Sequence, residues 1–555
     1  MQKYSVDLYQ KGIEYFKKKN FIESEKCFEK LKKTYSTNKD ILKNLSICYF
    51  YNGKFKKSEK NLEELFNLNH KDKELIEFFL LVLKKQDNIK KILETISNEK
   101  DKIDKKYQLL EKFERPTIGI TGLELDSFRI ETLTKVESAL SENVLKLKVD
   151  TQFLDPPLFN YSYENKNNLE LSKKLNKLFL NSFPELQQNI PLNNIKNKKI
   201  KIGFISEFFK NHTISKLFKG LIFNLDNTLF EKYIFYLDNG KGIDDEFFKS
   251  EKENNLKILK LPKSFNDKTN MITEQNLDIL FYPDIGLSTQ LYYLTFLRLA
   301  KYQLTSWGHP ETTGNPNIDF FLSSKLLEKN LNESQKHYSE KLLLCEYLPM
   351  FYSKPKIKKI EDSEIQSNNI YSCPQTLFKL HPDFDEIILK IIKNDKKANI
   401  FFIKGKEFLL ADKIYTRLSK KIVNEMDRIH FIDSLTNEEY INHCGRASVL
   451  LDPLYFGAGN SFHESMFYGT PTITMPNQFL RSRIVDGAYK QMKIDNPPVV
   501  ESIDDYVSTA IDFANTKPKI LLERKKYYAE CAEKFLFKNN EALKSFQNIL
   551  INIVK

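Results

Sequence analysis

From Lys198 onward the sequence alternates short apolar runs with amphipathic helical patterns, and this alternation restricts the fold more than any other feature. One set extends from IKIGFIS to FFLSS, and a second begins at NIYSCP after the lysine-rich segment KPKIKKIEDSEIQ. Strands that alternate with helices form parallel sheets covered by helices. We therefore predict two consecutive Rossmann-like domains, over residues 198–355 and 368–518, that face one another across a cleft.

The N-terminal region repeats itself with a period of 34 residues. The first copy has Leu8, Gly12, Tyr15, Phe21, Ser24, Phe28 and Leu31. The matching positions of the second copy, 34 residues later, hold Leu42, Ser46, Tyr49, Phe55, Ser58, Leu62 and Leu65. A weaker third copy extends to Ile96. This period is typical of tetratricopeptide hairpins, and the small side chains of Ser24 and Ser58 allow two helices to approach. We predict an all-α, tetratricopeptide-like region over residues 1–100, with a plain helical bundle as the alternative.

Two further segments connect and complete this arrangement. Residues 101–197 mix helical patterns with asparagine-rich loops and prolines, which indicates a connector that packs on the Rossmann-like domains after it. Residues 519–555 form a last helical stretch, which we expect to pack back on the two Rossmann-like domains.

Composition excludes several classes of protein. The 86 basic residues exceed the 74 acidic ones in this chain of 555, but only nine are arginines, and the lysines alternate with glutamates along helical faces. This pattern does not favour nucleic-acid binding. The six cysteines include no C-x-x-C pair, and the longest apolar stretch is FFLLVL, so we expect no zinc cluster, no membrane span and a cytoplasmic location.

The loop within residues 451–476, LDPLYFGAGNSFHESMFYGTPTITMP, is a candidate anion site, because three of the 17 glycines fall here. It follows a predicted strand, and ligands bind beyond the carboxyl ends of strands in parallel sheets. Asn460 and Ser461 are predicted to cap the next helix, whose first N–H groups would hold a phosphate near Gly459. Glu464 lies one turn later, where it can accept hydrogen bonds from ribose. The loop lacks the Walker A and dinucleotide-binding patterns.

Other polar residues also follow predicted strands. In the second set Gln375 and Lys379 come after the first strand, where a lysine is able to neutralise a leaving diphosphate. In the first set the residues that follow strands are His212, Asp284, His309, Thr312, Thr313 and Gly314. An imidazole or a carboxylate there is able to orient or deprotonate an acceptor. The alternative for Lys379 is an ordinary surface lysine, and the alternative for the histidines and the aspartate of the first set is structural hydrogen bonding. Asp383 and Asp385 have the spacing of a metal-binding pair, but acidic residues are common at a helix start, and we predict no metal.

Three segments together, SWGHPETTGNPNIDFFLSS, YSCPQTLFKLHP and LDPLYFGAGNSFHESMFYGTPTITMP, resemble the family of O-linked N-acetylglucosamine transferases. That family includes SPINDLY-type proteins and the bacterial cytoplasmic adhesin N-glucosyltransferases as relatives. The resemblance spans Lys198 to Met492, and the repeats ahead of it also fit. It implies an inverting GT-B glycosyltransferase that needs no metal or other cofactor and transfers a sugar from a nucleoside diphosphate to protein side chains.

The resemblance also implies roles for single residues. It aligns His212 with a histidine proposed as catalytic, and Lys379 and Gln375 with residues that contact the donor diphosphate. The positions at which this chain departs from the O-linked enzymes are Tyr440 for a histidine near uracil, Gly459, Asn460 and Ser461 for His-Thr-Thr on the diphosphate, Glu464 for an aspartate on the ribose, and His309 for a tyrosine of the animal enzymes. These departures bear on which sugar the donor carries.

The expected function is transfer of N-acetylglucosamine from UDP-N-acetylglucosamine to serine or threonine of a polypeptide held by the repeats. His212 would act at the acceptor with Asp284 as a helper, near His309 and residues 312–314. Two alternatives remain open. The first alternative is an enzyme that transfers glucose from UDP-glucose to asparagine. The second is an inactive tetratricopeptide scaffold that binds nucleotide without turnover.

Overall fold

A computed structural model describes residues 3–142, 145–192, 198–237, 243, 245–253, 255–365, 369–405 and 408–555. The chain forms two compact units, Met1–Thr117 and Ile118–Lys555.

The first unit is entirely helical, with helices α1 (Lys3–Lys17), α2 (Phe21–Thr34), α3 (Lys39–Tyr51), α4 (Phe55–Asn67), α5 (Lys73–Lys85), α6 (Ile89–Glu99) and α7 (Lys106–Leu110). The 34-residue period appears in its hydrogen bonds. Ser24 Oγ donates to the Gly12 carbonyl at 2.9 Å, and Ser58 Oγ donates to the Ser46 carbonyl at 2.8 Å. Each small residue thus brings the second helix of a hairpin against the first, as the tetratricopeptide prediction requires.

Consecutive hairpins are joined by a second repeating contact. Asn52 Nδ2 donates to Glu25 Oε2 at 2.6 Å, and Gln86 Nε2 donates to Glu59 Oε2 at 2.8 Å. Both the donors and the acceptors are 34 residues apart in the sequence. The hairpins therefore stack in the regular way that a repeat array requires.

The predicted connector is divided between the two units, because residues 101–117, which include α7, belong to the first. The rest of the connector begins the second unit and contains helices α8 (Gly122–Ser141), α9 (Val149–Gln152) and α10 (Leu169–Ser182). It packs on the Rossmann-like domains, as predicted, and the buried Asn176 side chain donates to the Thr313 carbonyl at 2.7 Å. The fully buried Arg481 guanidinium donates to the connector carbonyls of Glu164 at 2.8 Å and Lys166 at 2.6 Å. It also pairs with the Glu311 carboxylate at 3.0 Å.

The first sheet has seven parallel strands in the order β3-β2-β1-β4-β5-β6-β7. Its elements are β1 (Ile200–Ile205), α11 (Thr213–Asn224), β2 (Phe230–Tyr236), α12 (Asp245–Glu253), β3 (Leu256–Lys260), α13 (Phe265–Thr273), β4 (Ile279–Tyr282), α14 (Thr289–Leu294), β5 (Tyr302–Ser306), β6 (Phe320–Ser324), α15 (Leu331–Gln335) and β7 (Lys341–Cys345). The sequence-based prediction did not include β7, which adds to the edge of the sheet beside β6.

The second sheet has five parallel strands in the order β10-β9-β8-β11-β12. Its elements, after the short helix α16 (Asp362–Ile365), are β8 (Ile370–Cys373), α17 (Phe384–Asn394), β9 (Asn399–Ile403), α18 (Phe408–Ser419), β10 (Ile429–Ile432), α19 (Asn437–Arg446), β11 (Val449–Leu451), α20 (Asn460–Ser465), β12 (Thr472–Ile473), α21 (Ile484–Met492) and α22 (Ile503–Ala514). The two sheets confirm the predicted pair of Rossmann-like domains.

The strand order places the candidate residues where such sheets bind ligands. The order reverses between β1 and β4 in the first sheet and between β8 and β11 in the second. Crevices form beyond the carboxyl ends of strands at these reversal points. His212 follows β1, Lys379 follows β8 and the glycine loop follows β11.

The C-terminal stretch forms two helices instead of one, α23 (Pro518–Phe535) and α24 (Asn540–Val554). Helix α23 packs on α21 in the second domain, and α24 packs on β7 in the first. The end of the chain thereby contacts both Rossmann-like domains. In the described part of the chain, no helix combines the length and the apolarity needed to cross a membrane.

Candidate active site

A cleft of about 530 Å³ lies between the two Rossmann-like domains, and residues of both domains line it. The predicted site residues that line the cleft are His212, Gln375, Lys379, Tyr440, Gly459, Asn460, Ser461 and Glu464. They come from loops and helix starts far apart in the sequence, which the strand order brings together. The remaining predicted residues lie elsewhere.

Lys379 is held by neutral groups. Its Nζ donates to Gln375 Oε1 at 2.9 Å and to the Gly457 carbonyl at 3.0 Å, and it lies 4.9 Å from the centre of the Phe456 ring. Burial lowers the pKa of Lys379, and the negative charge of Asp452 partly opposes this effect. Among the described residues, no carboxylate lies within ion-pair distance of Lys379, so its ammonium group is oriented without being neutralised by direct contact.

Asp452 organises the glycine loop. The buried carboxylate accepts the Ala458 backbone N–H at 2.6 Å and the Thr474 hydroxyl at 2.7 Å. A Cβ atom on Gly457 would lie 2.8 Å from Asp452 Oδ2, so the close approach of this carboxylate requires glycine. The Asp452 carboxylate therefore fixes the loop by its hydrogen bond to the Ala458 N–H, and the Gly457 carbonyl is placed to accept a hydrogen bond from the Lys379 ammonium group.

The predicted caps of helix α20 are wrong. Gly459 is the N-cap residue, and within the described structure no side chain caps the helix. Asn460 Oδ1 instead accepts the Tyr352 hydroxyl at 2.7 Å, and Ser461 Oγ accepts Gln375 Nε2 at 2.7 Å. The helix is six residues long, so its dipole contributes little. Lys379 is therefore the main source of positive charge at this end of the cleft.

Glu464 makes an ion pair that crosses the cleft. Its Oε1 lies 2.5 Å from Lys216 Nζ, and Lys216 also donates to Asn437 Oδ1 at 2.6 Å. The side chain of Glu464 is 7% exposed and that of Lys216 is 31% exposed. Lys216 belongs to α11 of the first domain, whereas Glu464 and Asn437 belong to the second.

Tyr440 lines both the cleft and a second cavity of about 400 Å³ in the second domain. Its hydroxyl donates to the Pro374 carbonyl at 3.0 Å, which holds the ring beside the end of β8. Apolar residues such as Leu377, Ile403 and Leu410 line the second cavity. The two cavities share Tyr440, and their combined space extends along the ends of β8, β9 and β10.

His212 is the N-cap residue of α11. Its Nδ1 accepts the Ile214 backbone N–H at 3.3 Å, and its ring stacks on Phe208 at 4.4 Å between centroids. Burial, with the charges of Lys210 and Lys216, lowers the pKa of His212 to about 4. The ring is therefore neutral at physiological pH, and the acceptor role of Nδ1 places the remaining proton on Nε2.

Asp284 lies outside the cleft. It accepts the Ser206 hydroxyl at 3.1 Å, and Ser206 Oγ accepts the backbone N–H of Phe208 at 3.0 Å. Burial raises the pKa of Asp284 to about 7. Because Phe208 stacks on His212, the loop after β1 connects Asp284 to His212, but Asp284 does not line the cleft.

The candidates from His309 to Gly314 also lie outside the cleft lining. His309 Nδ1 is 3.1 Å from the Ile285 carbonyl, and burial lowers the pKa of His309 to about 4. Thr312 and Thr313 donate their hydroxyls to the buried Glu340. Gly314 has a φ of +67° and packs against α10, where a Cβ would lie 2.4 Å from that of Ser172. Their partners are those of structural residues.

The acidic pair also has structural partners. Asp385 pairs with Arg417 at 2.8 Å, and Asp383 accepts the Tyr455 hydroxyl at 2.6 Å. In the described residues no group of three or more His, Cys, Asp or Glu side chains is arranged to hold a metal ion. The need for no metal stays a prediction.

The sequence-based prediction missed Lys216, Asn437, Trp307 and Gly308, which line the cleft as well. Lys216 had a signal, because it follows His212 by one helical turn in the segment HTISK. Gly308 also had one, because it precedes the candidate His309. A Cβ on Gly308 would lie 2.3 Å from the Pro283 carbonyl, so the loop after β5 packs closely on that after β4.

Comparison with known proteins points to one group of enzymes, although no protein-family model matches the chain. The chain is 22% identical over 340 residues to a probable UDP-N-acetylglucosamine–peptide N-acetylglucosaminyltransferase, SEC, of Arabidopsis thaliana, which covers 58% of this chain and 34% of that protein. It is 22% identical over 352 residues to the UDP-glucose:protein N-beta-glucosyltransferase of Actinobacillus pleuropneumoniae, and this match covers 60% of this chain and 53% of that protein. It is 20% identical over 338 residues to a probable SPINDLY transferase of tomato (Solanum lycopersicum), and this match covers 58% of this chain and 35% of that protein. The matches thus span about a third to a half of these relatives.

A solved structure shows the same fold over nearly the whole length. The O-GlcNAc transferase of Thermobaculum terrenum, solved as a single-residue variant, superposes with a TM-score of 0.68 and 13% sequence identity. The match covers 99% of this chain and 97% of that chain. The repeat region followed by a GT-B pair of domains is therefore the architecture of this chain.

Proposed function

We propose that this chain, which belongs to the glycosyltransferase family of the O-linked N-acetylglucosamine transferases, transfers N-acetylglucosamine from UDP-N-acetylglucosamine to serine or threonine of proteins. The reaction is inverting and uses no metal or other cofactor. The names of the plant and bacterial relatives support a UDP-sugar donor and a protein acceptor, the plant names support N-acetylglucosamine as the sugar, and the cleft supports the positions of the donor residues.

The observation that carries this proposal is the environment of Lys379. Its ammonium group is oriented by two carbonyl oxygens and an aromatic ring and lines the cleft beside Gly459 and Ser461. A preorganised cation that no contacting carboxylate neutralises is suited to stabilise negative charge that develops on a leaving group. In transfer from a nucleotide sugar, that leaving group is the diphosphate of UDP.

On the acceptor side, the proposal gives His212 a positioning role. A neutral ring whose Nδ1 accepts a backbone N–H carries its proton on Nε2, and an N–H group donates a hydrogen bond instead of removing a proton. His212 would therefore orient the acceptor or the sugar. Asp284 supports it indirectly, because Ser206 and Phe208 connect the two residues.

Nucleotide binding by the full-length chain tests the donor site directly. We expect UDP and UDP-sugars to raise the melting temperature more than GDP and its sugars do. In Lys379→Met we expect the Kd for UDP, measured by calorimetry, to rise about 10- to 100-fold, as the loss of charge-assisted hydrogen bonds implies. Uridine lacks phosphate and should bind both proteins equally.

The matched control is Lys393→Met, which removes an exposed lysine from α17 in the same domain. It should leave the Kd for UDP unchanged. The proposal is wrong if the wild-type chain binds no uridine nucleotide, or if Lys379→Met binds UDP as tightly as the wild type. Binding without transfer from any nucleotide sugar would identify the alternative of an inactive scaffold.

Transfer of glucose from UDP-glucose to asparagine is the second candidate, and a specific observation favours it. The chain is as similar to the bacterial UDP-glucose:protein N-beta-glucosyltransferase as to the plant SEC protein, with 22% identity to each. The match covers 53% of the bacterial protein but only 34% of the plant protein. Mass spectrometry of a modified acceptor separates the two candidates by the mass of the sugar and by the modified residue.

The remaining parts of the proposal concern partners and location. Stacked hairpins form a concave surface that suits an extended polypeptide, so we assign the acceptor to the repeats. A cytoplasmic location and the lack of nucleic-acid binding stay predictions from the sequence. Crosslinking of an acceptor peptide to the full-length chain, followed by peptide mapping, would locate the acceptor.

A further inference from the structure

Lys216 is the residue that carries the further inference. It lies four residues after His212 on α11, so its side chain points to the same end of the cleft. Its ammonium group reaches the second domain, where it contacts Glu464 at 2.5 Å and Asn437 at 2.6 Å. One side chain of the first domain thus contacts the donor domain at two points.

The charges of the cleft are unbalanced for the proposed ligand. Among the described lining residues the ionised side chains are Lys216, Lys379 and Glu464. Glu464 neutralises Lys216, so the cleft presents one uncompensated cation, Lys379. A nucleoside diphosphate sugar carries a negative charge on each phosphate, so a second cation is needed for electrostatic complementarity.

We propose that Lys216 is a donor-binding residue, which leaves Glu464 and moves to the donor diphosphate when the nucleotide sugar binds. This inference rests on the proposed function. When Lys216 moves, the Glu464 carboxylate becomes free to accept hydrogen bonds from the ribose hydroxyls. The same movement thus allows Lys216 to contact the diphosphate and Glu464 to contact the ribose. The donor is then held from both domains, by Lys379 on one side and by Lys216 on the other.

The energetics favour the exchange. Lys216 is about one-third exposed, so water lowers the cost of moving its ammonium group away from Glu464. The Glu464 side chain is only 7% exposed, so its carboxylate needs new hydrogen-bond donors, which the ribose hydroxyls would supply. The diphosphate offers several charged acceptor oxygens inside the cleft, and charge-assisted hydrogen bonds to such groups are among the stronger ones. The long flexible stem of lysine allows this movement without a change in the helix.

Calorimetric titration of the full-length protein with UDP and with uridine tests the inference. In Lys216→Met we expect the Kd for UDP to rise about 10- to 100-fold while the Kd for uridine does not rise. The salt dependence of UDP binding should also become weaker, because one phosphate contact is lost. Lys216→Arg keeps the charge and should retain most of the affinity for UDP.

The matched control is Lys219→Met, on the next turn of the same helix, where the lysine pairs with Glu246 outside the cleft lining. It should bind UDP as the wild type does. Equal loss of UDP and uridine binding in Lys216→Met would mean that the ion pair with Glu464 is merely structural, and would overturn the inference. Unchanged UDP binding in Lys216→Met, together with weakened binding in Lys379→Met, would overturn it and leave the proposed function intact. A wild-type chain that binds no UDP would overturn both.

Discussion

Gly457 and Gly459 lie two residues apart in the glycine loop, but their surroundings differ. A Cβ on Gly457 would lie 2.8 Å from the Asp452 carboxylate, whereas one on Gly459 would meet no atom closer than Ile484 Cδ1 at 4.0 Å. The first glycine is required by close packing beneath the loop. The second leaves open the side of the loop that lines the cleft.

We predict that Gly457→Ala destabilises the chain by about 1–3 kcal/mol, the usual cost of inserting a carbon atom into packed surroundings. The Asp452 carboxylate would have to move, and its hydrogen bonds to Ala458 and Thr474 would weaken. Gly459→Ala is the matched control and should lower the melting temperature less, because its Cβ meets no close neighbour and only the preference of the N-cap position for glycine over alanine is lost. Equal melting temperatures for both variants in differential scanning calorimetry would contradict a packing requirement at Gly457.

At this scale the sequence predicted the lining of the cleft better in the second domain than in the first. Gln375, Lys379 and Ser461 follow strands of the second sheet and line the cleft, as the rule that ligands bind beyond strand ends implies. The same rule selected Asp284 and Thr312, whose side chains turn away into buried hydrogen bonds. Side-chain direction after a strand depends on tertiary partners such as Glu340, which no local pattern reveals.

At the scale of elements, the serines of the repeats show how a sequence period becomes a packing contact. Ser58 is fully buried between α3 and α4, where its hydroxyl donates to the Ser46 carbonyl. Because protein interiors are close-packed, a longer side chain at this position would have to displace its neighbours. Ser24 makes the same contact in the first hairpin. The 34-residue period therefore indicates where two helices approach closely, in addition to where helices occur.

We expect Ser58→Leu to destabilise the second hairpin by about 1–3 kcal/mol through overpacking. Hydrogen exchange measured by mass spectrometry should show faster exchange over α3 and α4 and no change in the two sheets. Lys60→Leu, on the exposed side of the same helix, is the matched control and should exchange as the wild type does. Exchange rates in Ser58→Leu that match those of Lys60→Leu would refute tight helix approach at Ser58.

Long periodic elements were predictable from the sequence, and short ones were not. The alternation of runs placed the strands from β1 to β6 and from β8 to β12, because each apolar run of a buried strand is bounded by polar turns. The run KLLLC of β7 lies between segments without a clear helical pattern. The alternation of strands and helices was therefore not visible there, and β7 was not predicted. Helix α20 ends after six residues, and its capping pattern alone misled the prediction.

At the scale of the whole molecule, the connector belongs to the same compact unit as the two Rossmann-like domains. We predict that a chain beginning at residue 198 folds poorly, because Arg481 would lose two buried carbonyl partners at about 1–3 kcal/mol each. A chain beginning at residue 118 keeps those partners. Size-exclusion chromatography of the two fragments should show aggregation of the shorter one and a single folded species for the longer one, and equal behaviour would contradict the prediction.

The buried guanidinium of Arg481 also restricts how such a chain is able to change during evolution. Repeats ahead of residue 118 are free to be gained, lost or exchanged, because the second unit is compact without them. Residues 118–192 do not share this freedom, since an insertion or deletion near Glu164 would remove a charged interior group from its partners. Under the proposed role of the repeats in holding the acceptor, differences in acceptor choice should accumulate in the repeats, while the connector retains its length.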